Sequence, residues 1–389
     1  MGLSYQEILS STLQKAKSRD YAGYEKFDAL NSPLLHVLSF NNPWLRFFWI
    51  QAVKECPFPI RPPLGVRQYK NAKGIALFIR AFLFLYEKTK DPSCLEEAVM
   101  LGKWLINNPS PGQQHLSWGY SFDWQDIPPF YQKKDEPNIV VTCFAGEAFL
   151  HLFKLTNDQR YAKALSSIAD FIACDIPVLY ASENERAISY LMRRFNYTVL
   201  NVQVMAGAFL AKTGAALGMD SLINIGRKLV MYTVNRQTPY HAWYYTDPRG
   251  KSPIRHDNYH TGGILDNLLD FIEISGDNHL MDVYWKGLAY YKINLFEPSG
   301  APRWMNDRRF PHDIHGAAQG IISFSKAARY NPEYRSRAEK IVSWTIQNMY
   351  RPKSCDFIYR KGYFFRWNYS LIRWCNAWMA RALGEFIKE

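Results

Sequence analysis

The sequence has little of what would staple a secreted chain or anchor one in a membrane. Its six cysteines form no CxxC pair and keep no regular spacing. That excludes a disulfide framework or zinc tetrad and leaves buried free thiols as the expected state. The start, Met1-Gly2-Leu3-Ser4-Tyr5-Gln6, has no apolar signal core, and Gln6 stands where a myristoylation motif needs Ser or Thr. No apolar run reads as long enough to span a bilayer, so a cytosolic (cytoplasmic) chain without a membrane span is expected. Motif chemistry is equally sparse. There is no GxGxxG, no GxxxxGKS/T, no G-x-S-x-G elbow and no HExxH, which sets aside dinucleotide, P-loop, α/β-hydrolase and zincin chemistry. No cofactor and no bound metal is expected.

Aromatic residues and positive charge are abundant. Hydrophobic residues make up 48% of the 389, ample for a large core, and the chain carries 12 Trp, 25 Tyr and 24 Phe. Phe can fill a core, but so many Trp and Tyr point to a lined cleft. The formal charge of +12 fits nucleic acid, an anionic membrane surface or an acidic substrate. It is distributed rather than gathered in a Lys/Arg block or a basic amphipathic helix.

A helix-turn-helix pattern recurs. An apolar helix over 72–88 turns at Thr89-Lys90-Asp91-Pro92 into a more polar helix over 93–107. The pattern returns at 143–155 with 159–173, 199–216 with 219–235, 260–274 with 278–292, and 315–329 with 333–348. The period of roughly 55–70 residues is that of a repeat architecture. The first helix of each pair is apolar all round, as an inner helix should be, and the second carries charge on one face. A sixth inner-type helix over 374–387 and a helix over 4–18 lack partners, so pairing them closes a ring. The expected fold is all-α, an (α/α)6-type toroid of helical hairpins spanning 1–389 as one domain, with an open α-solenoid as the alternative. Residues 43–55 read as an extra helix without an assigned place. Long connections precede the inner helices, and a ring would gather them on one face, where helix N-termini favour anions.

Four loop segments carry candidate chemistry. In the first, Trp118, Tyr120 and Trp124 suit stacking on sugar rings, and Asp123 suits hydroxyl binding or acid catalysis. The second runs from Tyr244 and Tyr245 through Arg255, His256, Asp257, Tyr259 and His260 to the mouth of an inner helix. The third brings Arg303, Trp304 and Arg309 to His312, Asp313 and His315, with Asp313 readable as a plain N-cap. The fourth runs from Asp20 to Asn31, is rich in Tyr and Asp with Tyr24 and Asp28 as its candidates, and would lie beside Arg366-Trp367-Asn368-Tyr369 if the ring closes.

The stretch Asp257-Asn258-Tyr259-His260-Thr261-Gly262, with Gly74-Ile75-Ala76 and Tyr197-Thr198-Val199-Leu200-Asn201, resembles the helical domain of glucuronyl C5-epimerases. It also resembles ring proteins of bacterial polysaccharide biosynthesis. The resemblance covers about residues 70–330. It implies an acidic, uronate-containing oligo- or polysaccharide as partner, rather than nucleic acid, and proton abstraction at C5, leading to epimerisation or to a lyase product. Tyr259, His260 and Tyr244 are then candidate bases, and Arg255, Arg303 and Arg309 with His315 candidate donors to the carboxylate and its enolate. Two alternatives stay open. One is a glycoside hydrolase pairing Asp123 with Asp257 or Asp313; the other is a non-catalytic polysaccharide-binding module.

Overall fold

A computed structural model describes residues 3–388. In chain order its helices are α1 (Tyr5–Lys17), α2 (Pro33–Leu38), α3 (Pro43–Glu55), α4 (Ala72–Thr89), α5 (Pro92–Asn107), α6 (Ile139–Thr156) and α7 (Gln159–Asp170). They continue as α8 (Leu200–Leu217), α9 (Asp220–Val234), α10 (Asn258–Ser275), α11 (Met281–Asn294), α12 (Ile314–Ala328), α13 (Glu333–Met349) and α14 (Trp378–Lys388). The even-numbered helices from α4 to α14 pack each on the next, and α14 packs back on α4, closing an inner ring. Each outer helix from α5 to α13 backs the inner helix before it, and α1 backs α14. The edge-to-face contact of Tyr5 on Phe386, with ring centroids 5.3 Å apart, seals that last pair. The fold is the expected (α/α)6 toroid.

Burial explains the two layers. Inner α8 is buried without a break from Leu200 to Ala211, while outer α7 buries only Tyr161, Ala164, Leu165, Ile168 and Ala169, one stripe at helical spacing. Where α8 and α9 cross most closely, Gly207 and Gly226 leave no room for a side chain. A Cβ on either would come within 2.6 Å of the other's carbonyl oxygen. Helix α6 corrects one expectation, since it is apolar and long enough to cross a membrane by length and composition; here 56% of it is buried inside the ring.

The inner helices also carry an alternating belt of charge that the hydrophobic pattern hides. Arg80 of α4 faces Glu147 of α6 at 3.7 Å, Lys212 of α8 bridges Glu147 and Asp270 of α10, and Lys326 of α12 holds Asp266 and Asp270. Glu385 of α14, paired with Arg381, lies within the field of both Lys326 and Arg80. Sign thus alternates from helix to helix around the ring, and each charge is paired, across to a neighbouring helix or, for Glu385, within its own, as buried charges must be. Burial raises the Asp270 carboxyl, but Lys212 and Lys326 pull it well below the usual carboxylate range.

Loops enter the inner helices through short ladders, among them Thr198–Val199 on Thr246–Asp247 and His312–Asp313 on Arg360–Lys361. Asn71, Asn138, Asp257 and Asp313 accept hydrogen bonds from the first-turn amides of α4, α6, α10 and α12, satisfying donors that would otherwise be buried and unpaired. Helices α2 and α3 stand outside the ring, over a small core of their own built on Leu35, Ile50 and Val53.

Candidate active site

At the end of the ring where the inner helices begin lies a cavity of about 350 Å³. Every inner helix, with the turn that leads into α14, contributes to its wall, and Phe47, Gln51 and Lys54 of α3 close one side. The charge belt contributes Arg80, Asp266 and Arg381.

Two imidazoles face this space. His260, in the first turn of α10, holds its Nδ1 2.7 Å from Asp257 Oδ2, while Asp257 Oδ1 accepts the His260 backbone amide. The carboxylate thus places the proton on Nδ1 and leaves Nε2 as the free acceptor. His315, in the first turn of α12, is stacked on Tyr259 with centroids 4.5 Å apart and planes 9° from parallel, and Trp378 lies 4.1 Å away. Its buried Nδ1 has no hydrogen-bond partner. Burial first, then Lys73, Lys26 and Arg373, push the His315 imidazole well below its ordinary range, so it is neutral. Burial, with Asp257 and Asp313, pushes the Tyr259 phenol well above its ordinary range, and burial does the same to Tyr245. Both phenols therefore keep their protons.

Positive charge dominates the wall. Seven Lys and Arg side chains line it against two carboxylates, Asp126 and Asp266, and Asp266 is already held by Lys326. Arg373 is paired with Glu25, and Arg360 with Asp313 and Glu55. Lys26 and Lys73 are different. Their ammonium groups make no hydrogen bond or ion pair among the described residues and rest on rings, Lys26 Nζ 3.6 Å from the centroid of Trp374 and Lys73 Nζ 4.1 Å from that of Phe144. Burial lowers both well below the ordinary lysine range, with Arg373 pushing Lys73 down further.

Of the residues expected at a site, Tyr120, Trp124, Tyr245, Tyr259, His260, Trp304 and His315 line this cavity. The others do not, each for a visible reason. Trp118 is a core residue, 1% exposed, with its indole donating to the Leu105 carbonyl. Asp123 accepts the Lys134 amide within its own loop. Asp257 and Asp313 are buried N-caps; Asp313 also accepts from Trp374 and Arg360, which places it behind the wall. Tyr244 bonds Tyr240 on the outer side, and with Arg255 it borders a narrow crevice behind His260. Arg303 and Arg309 turn to Glu297, at 2.9 and 3.6 Å. Tyr24 lends its carbonyl to the Ile372 amide, and Asp28 is buried on Arg61.

The fold is shared with enzymes of sugar chemistry. Cellobiose 2-epimerase from Bacillus thermoamylovorans matches with a TM-score of 0.62 at 10% identity, over 83% of this chain and 90% of that one. A sugar epimerase from a ruminal bacterium matches at 0.64 and 11% identity, over 83% and 90%. An unsaturated glucuronyl hydrolase specific for heparin matches at 0.60 and 11% identity, over 83% and 87%. No family model and no curated protein matches the sequence. At these identities the likeness is one of architecture.

Sequence reading missed Lys26, Lys54, Lys73, Arg360, Arg373 and Trp374 as cavity residues. A signal existed for Lys73, a cation in the first turn of an otherwise apolar inner helix. The fourth loop segment was also marked, but for Tyr24 and Asp28, whereas Lys26 and Phe27 are the residues that reach the cavity. The cavity opens into a second space of about 320 Å³ lined by Phe130, Phe195 and Tyr197, and the two share Trp124, Asp126 and Tyr245.

Proposed function

We propose that the protein is an enzyme that acts on an acidic, uronate-containing glycan by removing the proton α to the carboxylate. The observation that carries this reading is the pair of unpartnered lysines beside two imidazoles in one cavity. A carbon acid next to a carboxylate is weak, so its charge and that of the developing enolate must be neutralised first. Burial disfavours the ammonium form of Lys26 and Lys73 while the cavity is empty; a carboxylate seated beside them favours it, and with Arg373 they then supply that charge where little water competes. His260, held by Asp257, is then the base at C5; the Tyr259 phenol stands near it as the group that returns a proton, and neutral His315 can offer its N–H as a hydrogen bond to the enolate. Return of a proton to the opposite face epimerises the sugar; expulsion of the 4-substituent gives a lyase product. The aromatic second space supports an oligomer over a single sugar, because it offers ring faces and little charge next to the cationic cavity. Two structural neighbours are named epimerases and one a glucuronyl hydrolase, which supports a sugar substrate.

Asp126 favours a second reading, glycoside hydrolysis, because it lines both spaces and carries no ion pair among the described residues. The carboxylates first expected for that chemistry, Asp123, Asp257 and Asp313, do not meet in the cavity. Incubation with a panel of uronate polymers in D₂O separates the readings. Deuterium at C5 with His260 required supports proton abstraction, while chain shortening without deuterium, abolished by Asp126→Asn, replaces it with hydrolysis.

A further inference from the structure

Helices α2 and α3 take no part in the ring, yet they carry a dense apolar surface. Leu34 and Val37 on α2, Phe40 in the turn, Trp44 and Phe48 on α3, and Phe58 beyond it are each 53–75% exposed. Leu34 and Val37 are three residues apart and Trp44 and Phe48 four, so each helix presents one apolar stripe, and the opposite stripe is what binds the small core of Leu35, Ile50 and Val53. Patches of this kind on a soluble domain mark an interaction surface. The turn between the helices holds Phe40 and Asn41 at φ of +46° and +55°. The left-handed region is unusual for a bulky residue, and here it projects Phe40 into solvent, where the isolated chain gives it no packing in return.

The charge of the segment identifies what covers this face. From Pro33 to Arg67 the chain has a single acid, Glu55, which Lys54 and Arg360 already engage; of its cations Arg61 is buried on Asp28 and Lys54 faces the cavity, so half-buried Arg46 and exposed Arg67 are the ones at the surface. A second copy would bring the same cations and no free carboxylate to meet them. Trp367, whose indole donates to the Glu55 carbonyl, ties a further hairpin to the end of α3. The tip of that hairpin, Tyr363, Phe364 and Phe365, is 65–85% exposed and is followed by exposed Arg366. Exposed Trp and Phe with interspersed cations and almost no acid match the boundary between headgroups and acyl chains of an anionic bilayer.

We propose that the α2–α3 face docks on an anionic lipid surface. Through Phe47, Gln51 and Lys54 the same α3 lines the cavity, so docking seats one cavity wall at the membrane. This inference does not depend on which reaction the cavity performs. The test is flotation of the full chain with phosphatidylcholine vesicles, with and without phosphatidylserine, beside a Phe40→Ser/Trp44→Ser/Phe48→Ser variant. These side chains are exposed, so the variant should melt within a few degrees of the parent. The expected result is flotation with the phosphatidylserine vesicles at low salt, reduced about 10-fold or more in the variant. No flotation, or flotation unchanged by the variant, overturns the proposal. So does a concentration-dependent dimer in light scattering that the variant abolishes, which would assign the face to a second copy.

Discussion

An imidazole serves as a base at a defined atom only when its other nitrogen is held, and Asp257 does this for His260 while also capping α10. The two tasks can be separated. Asn caps a helix about as well as Asp, so Asp257→Asn should keep the fold and KM but lower kcat, as the imidazole loses its orienting carboxylate. His260→Ala should lower turnover at least about 100-fold, the low end for general acid–base catalysis. Equal kcat in parent and Asp257→Asn would show that the pair is only structural. Glu25 gives a second test at this scale. Burial pushes its carboxyl up to about 7, although Arg373 pulls it down. A folded value above the unfolded one, near 4.5, means the protonated form is favoured on folding. Its contribution is therefore complete below about pH 4.5 and is lost as pH rises to about 7. The melting temperature of the parent should fall relative to Glu25→Gln across that window, and a constant difference would show that Glu25 does not titrate there. Residue roles were the least legible part of the sequence. Asp257 and Asp313 were visible as chemistry-bearing residues, but capping and chemistry use the same side chains. Arg303 and Arg309 looked free because their partner, Glu297, lies in a neighbouring stretch with no motif to mark it.

At the scale of elements the helices were legible because apolar periodicity and turn residues repeat; 43–55 and 333–348 match α3 and α13 to within a residue. The π-helical segment Ile372–Ala377 that leads into α14 was read as ordinary helix, since a π turn depends on packing rather than on periodicity. The charge belt was also hidden. One or two charged residues in an apolar inner helix read as noise until the ring sets them opposite one another. Its strength can be measured at Lys212, which joins α6 to α10 through Glu147 and Asp270. Lys212→Met fills similar volume but leaves those carboxylates short of a buried partner, so it should cost about 3–5 kcal/mol in urea denaturation. A loss below about 1 kcal/mol, the value of an exposed pair, would mean that water reaches the belt. Acid should act in the same direction. Glu385, which burial raises but Arg381 and Lys326 pull down to about 2, contributes stability above its unfolded value near 4.5. That stability is lost as pH falls toward 2.

Over the whole molecule, positive charge acts at two ranges that one experiment can separate. The +12 surplus is spread over the surface and is screened beyond about 8–10 Å near physiological ionic strength. It should govern the rate at which an anionic glycan arrives. Lys26 and Lys73 are buried in the cavity and can act only once the ligand is seated, so they should govern how long it stays. Rapid-mixing measurements with an oligouronate should therefore show an association rate that falls steeply with salt and a dissociation rate that changes little. In Lys73→Gln dissociation should be about 30-fold faster or more, in line with the roughly 2–5 kcal/mol lost when a buried charge pair is cut, while the salt slope of association stays unchanged. The substitution keeps a polar side chain beside Phe144, so a general loss of packing should not mimic this result. If a neutral glucan is bound as tightly as the oligouronate, and Lys73→Gln alters neither rate, the unpartnered lysines do not serve an anionic sugar. The cavity would then be read from Asp126 and its aromatic walls instead.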